Sequence, residues 1–261
     1  MPARSLTCEG LGRTPLNVNV IQGINAAETW LKATRFIVEN GRKQGELSKE
    51  VINLVSVTHN PLEIFEEVDT LFRKHIGTKW IAKGSDCIFP VGAAKYRKNT
   101  CRLWSKTYWG RLTRYREKID QLEFIVHRME RKPHSKQLSC VTFDPESDIQ
   151  PHRPFNPSMP CLIALDFKFQ GEKINIFAMF RSHDFGRKAY GNYIGLGMLL
   201  KMVSQKTGYP TGEIVCYSVS AHIRSKEFPS VNALLEEYGA CNSFSPKKVE
   251  RGTILETYSH S

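Results

Sequence analysis

No stretch of this chain approaches the roughly 18 uninterrupted apolar residues that a membrane-spanning helix needs. The opening MPARSLTCEGLGR carries charges but no apolar centre of the kind that marks a secretory leader. Neither membrane insertion nor export is expected, and the cytoplasm is the expected location. Paired cysteine motifs are missing too. The seven cysteines (8, 87, 101, 140, 161, 216 and 241) are odd in number and scattered, with no Cys-x-x-Cys and no Cys/His cluster at zinc spacing. A disulfide framework and a structural metal are therefore not expected. A reducing compartment is the simplest reading, and it leaves one thiol free to serve as a nucleophile. The chain also lacks internal repeats, low-complexity segments and any Gly/Ser linker, so residues 1–261 read as a single domain.

What is present describes a folded, basic protein. Of 261 residues 41% are hydrophobic and 24% charged, and a chain of this length buries about 70–75% of the surface its unfolded form exposes. The formal net charge is +11, which attracts phosphate without any sequence-specific contact. The basic residues are dispersed, densest over 97–118, and no nucleic-acid-binding motif accompanies them. A small phosphorylated ligand is the expected partner, with polymeric nucleic acid the weaker alternative.

Hydrophobic spacing divides the chain into elements. Residues 25–39 read as a helix: Asn25 caps it, Glu28 stands three residues on, and Trp30, Ala33, Ile37 and Val38 share a face until Gly41 ends it. Residues 50–57 read as a strand, and 61–75 as a helix carrying Glu63, Glu66 and Glu67. A third helix spans about 115–131, with Pro133 after its end. Residues 138–143 suggest a short strand, followed by a long Pro-rich loop to residue 160. Residues 161–169 and 174–180 fit a hairpin joined by QGEK. An apolar helix at about 192–206 follows, where Gly195 and Gly197 permit close packing, and residues 213–223 alternate as a strand. Helices early and strands late predict an α+β fold, with helices packed on a mostly antiparallel or mixed sheet.

Several residues carry chemistry in this layout. Cys161 follows Pro160 where a long loop enters a strand, so its thiol sits on a rigid edge. A lone cysteine is ordinarily a small buried apolar residue, but Arg181-Ser182-His183-Asp184 ends the next strand. A guanidinium with a hydroxyl makes a phosphate clamp, and an arginine near Cys161 favours the thiolate. Asn192 opens the following helix with an amide that can both donate to and accept from a heterocycle edge. His222 shares a strand face with Cys216, Ser218 and Ser220. Taken singly, these read as well as a surface ion pair and a core histidine.

Together, their order resembles the catalytic half of the thymidylate synthase and pyrimidine nucleotide hydroxymethylase superfamily. That family runs Pro-Cys, strand, turn, strand, Arg-Ser-x-Asp, loop, Asn, long helix, and a strand ending in His. Here these are Pro160-Cys161, Arg181-Ser182-His183-Asp184, Asn192 and Ala221-His222-Ile223. The likeness is clear over 160–223 and extends more weakly back to Tyr108, so a catalytic half at about 108–224 is expected.

The resemblance implies a thymidylate synthase-like fold and a mechanism. Cys161 attacks C6 of a pyrimidine nucleoside monophosphate (CMP, dCMP or dUMP), which makes C5 nucleophilic toward a one-carbon unit from 5,10-methylenetetrahydrofolate, a reduced folate. Arg181 and Ser182 hold the phosphate, Asn192 orients the base, Asp184 meets the pterin and His222 meets the sugar. Tyr108 belongs to the catalytic set, and Arg42 to the nucleotide-binding set. Glu67, with Glu66 second, moves protons. A homodimer sharing its phosphate sites is expected, with Lys136 and Gln137 where the family lends paired arginines to its partner.

The departures are equally specific. Leu162 stands where the family usually has His, Asp166 replaces a Gln, Arg224 replaces a Tyr, and the loop FGRKAYG carries Arg187 and Lys188 where the family is apolar. The end GTILETYSHS lacks the family's short apolar terminus. Poorer closure leaves water beside the reacting carbon, so hydroxymethylation of C5 is the expected reaction. Thymidylate synthesis is the first alternative; altered one-carbon chemistry or nucleic-acid binding is the second.

Overall fold

A computed structural model describes residues 17–90, 107–149 and 159–242. One mixed sheet of eight strands organises them: β1 (Asn19–Gly23), β2 (Arg42–Gln44), β3 (Leu47–Thr58), β4 (Ser139–Val141), β5 (Leu162–Gln170), β6 (Lys173–Phe180), β7 (His183–Asp184) and β8 (Thr211–Arg224). The spatial order is β1-β3-β8-β6-β5-β4, with β2 added beside β3 and β7 beside β8. β3 runs antiparallel to β8, whereas β6 and β7 run parallel to it. The start of β5, the ends of β6 and β8, and the start of β3 therefore meet at one end of the sheet.

Helices cover one face. They are α1 (Ala26–Asn40), α2 (Glu66–Phe72), α3 (Thr78–Ile88), α4 (Tyr108–Thr113), α5 (Gln121–Arg131), α6 (Pro145–Asp148), α7 (Ala189–Thr207) and α8 (Phe228–Asn242), with a wide π turn at Arg73–Gly77 joining α2 to α3. The first helix starts as its sequence dictates: the Asn25 side chain accepts from the Glu28 N–H, while Glu28 reaches back to the Ile24 N–H. The central α7 is buried nearly all round, and its Tyr190 packs with Trp30 of α1 and Phe72 of α2. Ile176, Ala178 and Phe180 of β6 and Ile214, Cys216 and Ser218 of β8 point into this layer.

The opposite face of the sheet has no helix over it among the described residues. Phe177 and Met179 are each 41% exposed there, opposite Val215 and Tyr217 of β8, which in turn face Val57 and Val55 of β3.

The α+β class is as expected, but the division into early helices and late strands is not. β1 and β3 come from the first sixty residues and lie in the same sheet as β8. The helix expected at 61–75 starts at Glu66 and gives way to the π turn, and the one expected from 115 starts at Gln121 behind the Asp120 cap. Most of the loop expected at 144–160 lies outside the described residues, but its beginning forms the single turn α6.

Candidate active site

Cys161 sits at the entry to β5 and is partly exposed; Cys140 and Cys216 are fully buried and Cys87 is partly buried. Burial pushes the Cys140 thiol up to about 12 and the Cys216 thiol higher, so neither supplies a thiolate near neutral pH. Two neighbours fix the backbone at Cys161. The phenolic oxygen of Tyr108, at the start of α4, accepts the N–H groups of Cys161 and Leu162 at 3.1 and 3.3 Å. Arg181, at the end of β6, donates its own N–H to the Cys161 carbonyl at 2.9 Å.

The Arg181 guanidinium grips the same chain. Its Nε donates to the Pro160 carbonyl at 2.8 Å and an Nη to the Met159 carbonyl at 3.0 Å. A guanidinium has five N–H donors, so these two bonds tie it to the segment that leads into Cys161 and use only two of them. Ser182 follows, partly buried.

A row of charged and polar groups crosses the sheet next to this pair. Arg42 of β2 lies opposite Glu50 of β3, Glu50 opposite His222 of β8, and His222 opposite Asp184 of β7. Cross-strand partners share a face. Glu50 is nearly buried and accepts the Ser220 hydroxyl. Burial lowers the His222 pKa, with Asp184 and Glu50 pulling against it. Asp184 pairs with Arg187, which also reaches Glu227 and lies 4.6 Å from the Trp80 ring centre. In this cluster Asp184 Oδ1, Glu227 Oε2 and His222 Nδ1 are buried with no hydrogen-bond partner.

Asn192 lies one turn into α7, buried, and its Nδ2 donates to the Gly84 carbonyl of α3 at 3.0 Å. The fold therefore gathers Tyr108, Cys161, Arg181, Ser182, Asp184, Asn192, His222 and Arg42 at one end of the sheet.

Two expected contributors lie elsewhere. Lys136 is exposed, and the pairing of β4 with β5 puts it toward Lys168, at the end of β5 away from Cys161. Glu66 and Glu67 are exposed at the start of α2, whose inward face is Val68, Asp69, Leu71 and Phe72. The inward carboxylate of that helix is Asp69, held by the Tyr190 hydroxyl at 3.0 Å and by Arg73. Sequence reasoning missed Glu50, Glu227 and Trp80, because only strand pairing and helix packing bring them to the site.

The cysteine and arginine at a strand edge, with Asp, Asn and His at the same end of the sheet, form an arrangement in which a partly exposed thiol can serve as a nucleophile. Comparison with known proteins makes this specific: the sequence model of the thymidylate synthase family matches residues 62–246, and the chain belongs to that family. It is 27% identical over 224 residues to a protein of Methanosarcina mazei named "Putative thymidylate synthase", covering 83% of this chain and 94% of that one. Proteins of the same name from Methanosarcina acetivorans (26%; 83% and 94% covered) and Methanothermobacter marburgensis (27%; 80% and 95%) are similar to the same extent.

Proposed function

We propose that this protein transfers a one-carbon unit to C5 of a uracil nucleoside monophosphate through a Cys161 adduct at C6. The observation that carries this reading is the Cys161–Arg181 pair, in which the same guanidinium that braces the nucleophile's backbone retains donors for a phosphate. The pyrimidine C5 carbon is a poor nucleophile until a thiolate adds at C6; the ring then carries the negative charge to C5 and O4. Arg181 and Ser182 hold the phosphate. Asn192 sets the base edge, and His222, in its row with Glu50 and Arg42, faces the sugar. Glu67 and Glu66, exposed as they are, serve proton exchange through water rather than by direct contact.

The site also suits a folate. The unpartnered acceptors Asp184 Oδ1 and Glu227 Oε2 are of the kind that the N–H groups of a 2-amino-4-oxo ring satisfy. 5,10-Methylenetetrahydrofolate supplies the carbon at formaldehyde oxidation level. A methyl product is the first reading, because the relatives carry the thymidylate synthase name. Hydroxymethylation is the second, favoured by Arg187 at the cleft, which keeps polar surface and water near the reacting carbon.

The dimer belongs to the same proposal. The uncovered sheet face with Phe177, Met179, Val215 and Tyr217 is an apolar surface fit for a second copy, and only a second copy brings Lys136 to a phosphate.

The deciding experiment incubates the full chain with UMP, dUMP, CMP or dCMP and methylenetetrahydrofolate, and reads product mass. A methyl or hydroxymethyl gain on a uracil nucleotide, absent in Cys161→Ala, is the expected result. Turnover that survives Cys161→Ala removes the nucleophile, and modification of a cytosine nucleotide alone removes the base assignment.

A further inference from the structure

Two strands set side by side a carboxylate and an imidazole whose hydrogen-bonding needs the protein does not meet. Glu50 of β3 and His222 of β8 are cross-strand partners and share a face. Glu50 is 9% exposed and His222 4%. The Ser220 hydroxyl donates to Glu50 Oε1, and this is the only hydrogen bond of that carboxylate among the described residues. Arg42 lies opposite Glu50 on β2, but it is exposed and makes no ion pair with it. His222 Nδ1 is buried without a partner.

An ionised carboxylate drawn out of water needs donors, and one hydroxyl does not satisfy it. Beside a phosphate ester it is more costly still, because the two negative charges repel. Such a group fits a nucleotide site only where the ligand itself brings a donor. The phosphate has acceptors to offer, and the base edge belongs to Asn192, so the sugar hydroxyls remain. Asp184, the neighbour of His222 on its other side, already has its charge met by Arg187. Glu50 is therefore the acceptor left for the sugar.

The number of hydroxyls then decides which sugar fits. A 2′-deoxynucleoside 5′-monophosphate has one, at C3′, and can satisfy one of the two groups. Ribose has two on adjacent carbons and can satisfy both. One donates to Glu50, and the other pairs with His222 Nδ1, which accepts or donates according to its tautomer. A carboxylate on a ribose 2′-hydroxyl is an arrangement that dinucleotide-binding sites also use.

We propose that Glu50 and His222 together hold the vicinal hydroxyls of a ribose, Glu50 accepting the 2′-hydroxyl, and so make the site selective for ribonucleoside over 2′-deoxyribonucleoside monophosphates. The proposal rests on the reading that His222 faces the sugar.

The test is equilibrium binding of UMP, dUMP, 2′-O-methyl-UMP, CMP and dCMP to the full-length protein by calorimetry, for the wild type and for Glu50→Ala, Glu50→Gln and Ser220→Ala. The wild type is expected to bind the ribonucleotide at least about tenfold more tightly than the deoxyribonucleotide of the same base. 2′-O-Methyl-UMP keeps the oxygen but has no proton to donate, and should bind no better than dUMP. Glu50→Ala should bring the ratio below about threefold, chiefly by weakening the ribonucleotide, and Glu50→Gln, a neutral acceptor of the same shape, should fall between. A merely structural Glu50 would affect both sugars alike, and an unchanged ratio in a folded Glu50→Ala protein overturns the proposal. Should neither Glu50 variant fold, Ser220→Ala decides: it frees the carboxylate to turn away, and retention of the full ratio there overturns the proposal as well. A wild type that binds both sugars equally, or prefers the deoxyribonucleotide, defeats the ribose assignment while leaving nucleotide binding intact. A wild type that binds none of the five defeats the reading of the site itself, and the ribose assignment with it.

Discussion

The hydroxyl of Tyr108 holds the peptide at Cys161: one phenolic oxygen accepts two successive N–H groups, from Cys161 and Leu162. Burial, and next to it the charge of a Cys161 thiolate, push the Tyr108 pKa up, so it remains a neutral phenol throughout the working range. Tyr108→Phe leaves two partly buried donors without an acceptor, a cost of about 1–3 kcal/mol. Because the freed segment carries the proposed nucleophile, turnover should fall more than nucleotide affinity, by about 10–100-fold if the thiol is displaced from its attack position. Steady-state kinetics beside calorimetric binding would check this, and equal losses in both would assign Tyr108 a binding role instead.

Tyr108 is itself positioned by a buried ion pair. Arg111, one turn further along α4, forms a two-pronged pair with Asp148 of α6 at 2.7 Å for each contact and donates to the Thr142 carbonyl. Both side chains are almost wholly buried, 3% and 1% exposed. Removing one partner strands a charge in a site with little water. Asp148→Ala should therefore cost about 3–5 kcal/mol of stability, measured by urea unfolding. The double variant Arg111→Met with Asp148→Leu should recover much of that loss.

How much of this was legible in the sequence depended on how far apart the partners stood. Asn25 with Glu28 announced α1, and Arg181, Asp184 and Asn192 could be read because they fall within twelve residues of each other. Gly195 was read as a packing position, and a Cβ there would come within 2.8 Å of the Ser85 carbonyl in α3. The row from Arg42 through Glu50 and His222 to Asp184 was not legible, because it exists only when strands from opposite ends of the chain pair. The short β1 was missed for want of length, five residues ending in glycine. The α2–α3 region was read as one helix to residue 75 because apolar spacing runs on through the π turn, and α3 was not read at all. His183 stood at the variable place of Arg-Ser-x-Asp, where sequence alone gives no reason to stop.

Acid should loosen this core before it titrates the carboxylates. His183 is held near 3 and His222 below its ordinary value, both chiefly by burial, whereas in the unfolded chain each titrates near 6.5. A histidine with a lowered folded pKa contributes nothing to pH dependence well above 6.5. Below that, the unfolded state binds the proton that the folded state refuses, and stability falls by up to about 1.4 kcal/mol per pH unit for each histidine, until the folded pKa is reached. Urea midpoints should therefore drop from pH 7 to pH 4.5, and His183→Gln should flatten that slope. An unchanged slope in this variant would mean that His183 is not the group responsible.

The uncovered sheet face makes a separate prediction. Phe177 and Met179 project from β6 beside Val215 and Tyr217 of β8, and charging this patch should cost little in a monomer because both residues are already partly exposed. Met179→Lys should leave the thermal unfolding of a monomer within a few degrees, yet abolish dimerisation in sedimentation velocity. If the phosphate site is shared, activity should fall with the dimer and rise again with protein concentration. A wild type that sediments as a monomer at all concentrations would remove both the dimer and the role of Lys136.

The closest approach of α7 to α3 beside Asn192 is a contact between two glycines. Gly191 of α7 packs against Gly84 of α3 so closely that a Cβ on Gly191 would lie 2.4 Å from the Ile81 carbonyl and 2.9 Å from the Gly84 Cα. No side-chain rotation relieves a clash with backbone, so Gly191→Ala must push the two helices apart, at about 1–3 kcal/mol for overpacking. The same displacement draws the Gly84 carbonyl away from the Asn192 amide on the next residue of α7, breaking a buried 3.0 Å bond. Loss of stability should therefore be accompanied by weaker nucleotide binding and a smaller preference between bases. Gly197→Ala provides the control, since it strikes the Pro61 carbonyl at 2.7 Å on a different side of α7: it should lower stability while leaving the base preference as it was. If both variants change the preference equally, selectivity follows general loosening of α7 and not the Gly84 contact.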